Sequence, residues 1–161
     1  MEATLFAYPA VLEDDSSGRL LVRFPDLPEA LTDGADVEEA LLEAADCLSE
    51  ALMSRIADGE SIPEPSPVKD GQRQVVPDPT VALKAAVYMV SREQGISAAE
   101  LARRLGVDHK EARRLLDPRH ASKAPRLAEA LKAMGHAVAM TVHDTSSPKT
   151  LLPHPVAGSG R

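Results

Sequence analysis

The stretch Ser97 to Leu116, S-A-A-E-L-A-R-R-L-G-V-D-H-K-E-A-R-R-L-L, leaves the chain few choices. Ser97 with Glu100 spells one capping box and Asp108 with Glu111 a second. Two short helices therefore each open on a side chain that accepts from orphan backbone N–H groups. Between them stands Leu105-Gly106-Val107, too short a link to let the helices drift apart. Gly106 supplies the positive φ that ends the first helix, and Val107 turns a small apolar side chain back into the corner. Ala102, four residues before the glycine, is small enough to let the helices close on each other. A helix-turn-helix is expected here.

Val107, Ala112, Leu115 and Leu116 take the inward positions around the second helix. His109, Lys110, Arg113 and Arg114 are left for the outside, with Arg103, Arg104, Arg119, Lys123 and Arg126 nearby. A short helix with an exposed N-terminal turn fits the DNA major groove, where Lys and Arg read guanine edges. His109, Lys110 and Arg113 are the expected base-edge contacts; Arg103, Arg104, Arg114, Arg119 and Lys123 are the expected phosphate contacts. The alternative is a helical bundle whose basic face is only solvated. Caps, tight turn and basic face in combination favour DNA over it.

The net charge of −7 hides an asymmetry. Residues 1 to 77 carry 5 Lys/Arg against 17 Asp/Glu, whereas residues 78 to 161 carry 13 against 8. An acidic half joined to a basic half suggests two modules with partners of opposite charge, against the plainer reading that charge keeps each surface hydrated. The lone cysteine, Cys47, has no partner for an intrachain disulfide, which favours a reducing compartment. With no basic segment at Met1 to Thr4 and no apolar run of spanning length, a cytoplasmic protein with no membrane partner is expected.

Before the basic half, the residue pattern predicts a small α+β unit. Thr4 to Leu12 is an apolar run of strand length, Glu13 to Gly18 is an acidic turn, and Arg19 to Phe24 alternates in polarity. Pro25 to Pro28 ends that second strand, and Glu29 to Thr32 is a short third. Asp36 with Glu39 opens a helix running to about Ala57, with Val37, Leu41, Ala44, Leu48, Leu52 and Ile56 as its apolar stripe and Gly59 as its stop. Cys47 borders that stripe as a small buried hydrophobe. Pro63, Pro65 and Pro67 make a stiff spacer, and Arg73 to Val76 returns as a last strand. The unit reads β-β-β-α-β over residues 1–76.

Residues 77–143 read as an all-α unit ending in a short strand. Thr80 is the expected cap of a helix closing at Gly95, and Pro125 opens the last helix, which runs to Met134. Ala137 to Val142 has strand character, and a second copy of the chain would pair its open edge. Residues 144–161, rich in Pro, Ser and Gly, are expected to be a disordered tail.

Enzymatic chemistry finds little support. Clustered carboxylates bind divalent metals, but Glu13, Asp14 and Asp15 share one turn and the others fall on an outer helix face or in loops. His109, His120, His136, His143 and His154 fall at no metal-ligand spacing, and no phosphate-cradling loop or nucleophile elbow is present. No enzyme, cofactor or metal site is expected.

Four segments carry a family resemblance: Tyr8-Pro-Ala-Val-Leu-Glu-Asp-Asp, Phe24-Pro-Asp-Leu-Pro, Thr32-Asp-Gly-Ala-Asp-Val-Glu-Glu-Ala and Gly59-Glu-Ser-Ile-Pro-Glu-Pro-Ser. In this order they resemble the HicB antitoxins of type II toxin–antitoxin systems. The resemblance implies a degenerate, inactive ribonuclease-H-like N-terminal domain that binds and blocks HicA, a small basic mRNA interferase. It further implies a C-terminal DNA-binding domain, here the helix-turn-helix variant, that represses its own operon as a homodimer or higher oligomer. Glu13, Asp14, Asp15 and Asp26 are the expected toxin contacts, since an acidic surface suits a basic toxin. Glu29-Ala30 replaces the family's usual Cys or Gly-Cys after Phe24-Pro-Asp-Leu-Pro, so a different turn is expected there. The alternative from another class is a stand-alone transcription regulator whose N-terminal domain senses a ligand or only oligomerises.

Overall fold

The computed structural model describes residues 4–143. It is α+β, with strands β1 (Tyr8–Asp14), β2 (Leu20–Phe24), β3 (Leu27–Gly34) and β4 (Arg73–Val75). The helices are α1 (Val37–Asp58), α2 (Pro79–Glu93), α3 (Ala98–Leu105), α4 (His109–Leu116) and α5 (Ala124–Ala133). The strands form one antiparallel sheet in the order β3-β2-β1-β4. The expected tail, 144–161, lies outside the described residues.

The β1–β2 turn is built on Asp15, whose carboxylate accepts from the Ser17 N–H at 2.8 Å and the Arg19 N–H at 2.9 Å. Asp is suited to this because its short side chain folds back on its own backbone. At the other end of β2, only Pro25 and Asp26 separate it from β3, so the expected stop at Pro25 to Pro28 is shorter than the sequence suggests. Phe24 faces Leu27 while Arg23 faces Leu31, so Pro28, Glu29 and Ala30 bulge from the ladder. Pro28 is tolerated because β3 is an edge strand. Arg55 of α1 grips the bulge through Glu29 and also donates to the Ser61 carbonyl at 2.7 Å. Glu29-Ala30 thus lies in a bulge pinned by a helix.

α1 begins as its sequence predicts. Asp36 accepts the Glu39 N–H at 2.9 Å, and Glu39 accepts the Ala35 N–H at 2.6 Å. Gly59 ends the helix at φ 69°. Ala44, Leu48, Leu52 and Ile56 face the sheet as expected, but Val37, at the start of the helix, is 47% exposed. Tyr8, Val22, Phe24, Leu27, Leu48 and Leu52 fill the resulting core. The proline-rich spacer is tied to the sheet by Tyr8 Oη donating to the Pro63 carbonyl at 2.8 Å and by the Ser66 N–H donating to Asp26 at 2.9 Å.

The cap of α2 is Asp78, not Thr80. Its carboxylate accepts the N–H groups of Thr80 and Val81, and Pro79 occupies the first turn, where its missing N–H costs nothing. α2 then serves two cores. Ala85, with Val81, Tyr88 and Met89, packs against the sheet-and-α1 cluster, while Ala86, Val87 and Val90 belong to the cluster built by α3, α4 and α5. Phe6 packs against both.

The strand expected at Ala137 to Val142 is absent from the described residues. The backbone leaves α5 at Gly135 and forms no ladder, with Met140 77% and Val142 89% exposed. A strand needs a neighbour, and the sheet lies in the other half of the molecule. No helix among the described residues is long and apolar enough to cross a membrane.

Candidate nucleic-acid interface

The α3–α4 pair is assembled from its own local signals. Ser97 Oγ accepts the Glu100 N–H at 3.2 Å and Asp108 accepts the Glu111 N–H at 2.7 Å. Gly106 turns the chain at φ 67°, and the Val107 N–H donates to the Ala102 carbonyl at 3.1 Å. Leu101, Ala102, Ala112 and Leu115 are buried beneath. Neither glutamate reaches back to complete its box. Glu100 instead binds Arg103 and Arg104, and Glu111 binds Arg126 of α5.

These pairings sort the basic residues into two classes. Arg103 and Arg104 share the Glu100 carboxylate at 2.7 Å, and their hydrogen bonds hold its pKa down to about 2. Arg126 is divided between Glu111 and Glu129 and supports α4 from behind. By contrast, Lys110, Arg113, Arg114, Arg119 and Lys123 form no ion pair with any described residue. His109, Lys110, Arg113 and Arg114 are exposed along an open concavity of about 1000 Å³, which runs from Ala98 at the start of α3 to Asp117 at the end of α4. The sequence-predicted quartet therefore shares one face. Arg119 lies in the loop beyond α4, and Lys123 stands at the N-cap of α5.

The acidic residues of the N-terminal half do not gather into one site. Glu13 pairs with Arg23 across the β1–β2 ladder, Asp14 ends β1, and Asp15 is occupied by its turn. Asp26 lies at the opposite end of β2, where it holds Ser66. Among the described residues no group of three His, Cys, Asp or Glu side chains is arranged to hold a metal ion.

Two structural ties escape the sequence pattern. Arg126 looks like one more surface cation but is a brace between helices. Lys84 looks like a solvated lysine, yet it is only 5% exposed and donates to the carbonyls of Asp117 and His120. One signal was available for it: Lys84 is the only charged residue between Val81 and Val90.

Residues 7–86, the sheet, α1 and the start of α2, match the family model described as the HicB_like antitoxin of bacterial toxin-antitoxin system. The chain is also 38% identical over 135 residues to Antitoxin HicB 1 of Photorhabdus laumondii, covering 84% of this chain and 86% of that one. It belongs to the HicB antitoxin family. Antitoxin HicB of Escherichia coli K12 is 35% identical over 84% of this chain and 98% of its own. Antitoxin HicB of Pseudomonas fluorescens is 30% identical over 87% and 96%. The HicB likeness to these relatives extends well past the family-model match and so takes in α3 and α4.

Proposed function

We propose that this HicB-family chain is a two-ended antitoxin. Residues 1–76 bind and neutralise a HicA-like mRNA interferase, while residues 77–143 bind operator DNA and repress the operon as a homodimer or higher oligomer. α3 and α4 act as a helix-turn-helix, with α4 in the major groove.

The observation that carries the DNA reading is the charge arrangement on this pair. Every carboxylate between Ser97 and Arg119 has an internal partner: Glu100 its two arginines, Glu111 its brace, Asp108 its cap and Asp117 the Arg119 N–H at 2.9 Å. Lys110, Arg113, Arg114 and Arg119 keep their charge for an external anion. His109, Lys110 and Arg113 lie on the first turns of α4, the part of a recognition helix that meets base edges. Arg103, Arg104, Arg114, Arg119 and Lys123 surround them for phosphates.

The antitoxin reading rests on family membership and on the acidic N-terminal half, whose charge suits a basic partner. Two measurements test the whole: co-purification with the product of the adjacent reading frame, and gel-shift binding to the DNA upstream of the gene, with and without that product. Absence of a complex removes the antitoxin role, and absence of sequence-selective binding removes the repressor role.

A further inference from the structure

Lys84 sits where direct DNA contact has no use for it, inside α2 beside Ala85, Ala86 and Val87. Burying an ammonium group is costly unless its donors are satisfied. Burial pushes the Lys84 pKa down, and the nearby Asp117 charge pulls it back up. Its two acceptors lie in one loop: Asp117 is the C-cap of α4, and His120 follows Arg119. The cation also meets the C-terminal end of α4, where the helix dipole is negative.

The loop holds itself poorly. The Arg119 N–H donates to the Asp117 side chain and the His120 N–H to the Asp117 carbonyl, both within the loop. Ser122 Oγ reaches the Arg114 carbonyl only at 3.4 Å. Lys84 is the tie that joins this turn to the body of the protein.

We propose that Lys84 is a positioning residue for DNA binding. It fixes the 117–123 loop so that Arg119 and Lys123 meet phosphates beside the groove that α4 enters. The role rests on the DNA-binding reading of α3 and α4. A loop already ordered in the free protein does not have to lose its freedom on binding, which favours affinity without any contact from Lys84 itself.

The test uses the full chain and the duplex that the wild-type protein selects from a randomised pool, titrated over a salt series. Lys84→Met keeps the side-chain length and removes the donors; Lys84→Gln retains one donor group and serves if the methionine variant does not fold. The expected result is affinity about tenfold weaker, with a slope of log K against log salt shallower by roughly 1 to 2, about 0.9 per lost phosphate contact. The preferred sequence stays unchanged. Arg119→Ala weakens the wild type but adds little to Lys84→Met, because the contact is already lost. A purely structural role predicts loss in proportion to the unfolded fraction, with unchanged slope and additive effects. If the wild type selects a duplex and the folded variants keep its salt slope, the positioning role is overturned. If the wild type selects none, the DNA-binding reading fails first and this role with it.

Discussion

A Cβ placed on Gly34 would sit 2.3 Å from the backbone nitrogen of Ala40, so the end of β3 and the first turn of α1 meet backbone to backbone. No rotamer change relieves that clash, since the two nearest atoms are main chain and the third is the Cβ of Ala40. Gly34→Ala is expected to destabilise the fold by about 3 kcal/mol, at the upper end of overpacking costs. Urea denaturation checks this, and an unchanged midpoint would mean that α1 can lift from β3 at no cost.

Glu100 titrates as a guard on two arginines. Its folded pKa, about 2, lies below the ordinary 4.5, so the stability it contributes is complete above the ordinary value and is lost as pH falls through about 2. A carboxyl-carbon NMR titration should place its midpoint near the lower value in the wild type and near the ordinary one in an Arg103→Ala, Arg104→Ala double variant.

If the chain binds DNA as proposed, the same guard should restrain that binding. Glu100→Gln frees Arg103 and Arg104 from their shared carboxylate and removes one negative charge from the face. Operator affinity is expected to rise, with a steeper dependence on salt. Equal affinity and equal slope in a salt series would show that neither arginine reaches a phosphate.

Arg113 and Arg114 are neighbours with different expected roles. Arg113→Ala should cost about 1–3 kcal/mol on the cognate site and relax the preference at one base position. Arg114→Ala should weaken binding similarly on every sequence and lower the salt slope by about 1. Parallel titrations on the cognate duplex and on single-base variants separate the two, and identical profiles would defeat the assignment.

Because α2 contributes to both hydrophobic clusters, the two halves should unfold together. Calorimetry is expected to show one transition whose van't Hoff and calorimetric enthalpies agree. Two resolved transitions would mean that α2 belongs energetically to one half only.

Local chemistry made much of this legible. Asp36, Ser97 and Asp108 cap helices, and Gly59 and Gly106 end them, because a cap is decided within four residues. What the sequence hid was the partner at a distance. Glu111 reads as half of a capping box, yet its carboxylate goes to Arg126, which only tertiary packing brings near. Lys84 reads as exposed until the loop from Asp117 to His120 is folded over it. The assignment of Thr80 as a cap missed by two residues because Asp78 precedes a proline that already belongs to the helix. Ala137 to Val142 has the apolar, β-branched character of a strand, but a strand requires a second one, which a single segment does not contain.

Along α2, Lys84, Tyr88 and Arg92 are spaced four residues apart. Lys84 holds the loop after α4, while Tyr88 and Arg92 hold the carbonyls of Glu60 and Gly59 at the end of α1. One unbroken helix thus carries hydrogen bonds both to the end of α1 and to the loop after α4. On the proposed two-ended reading, a toxin on the sheet and DNA under α4 are therefore coupled through this one helix.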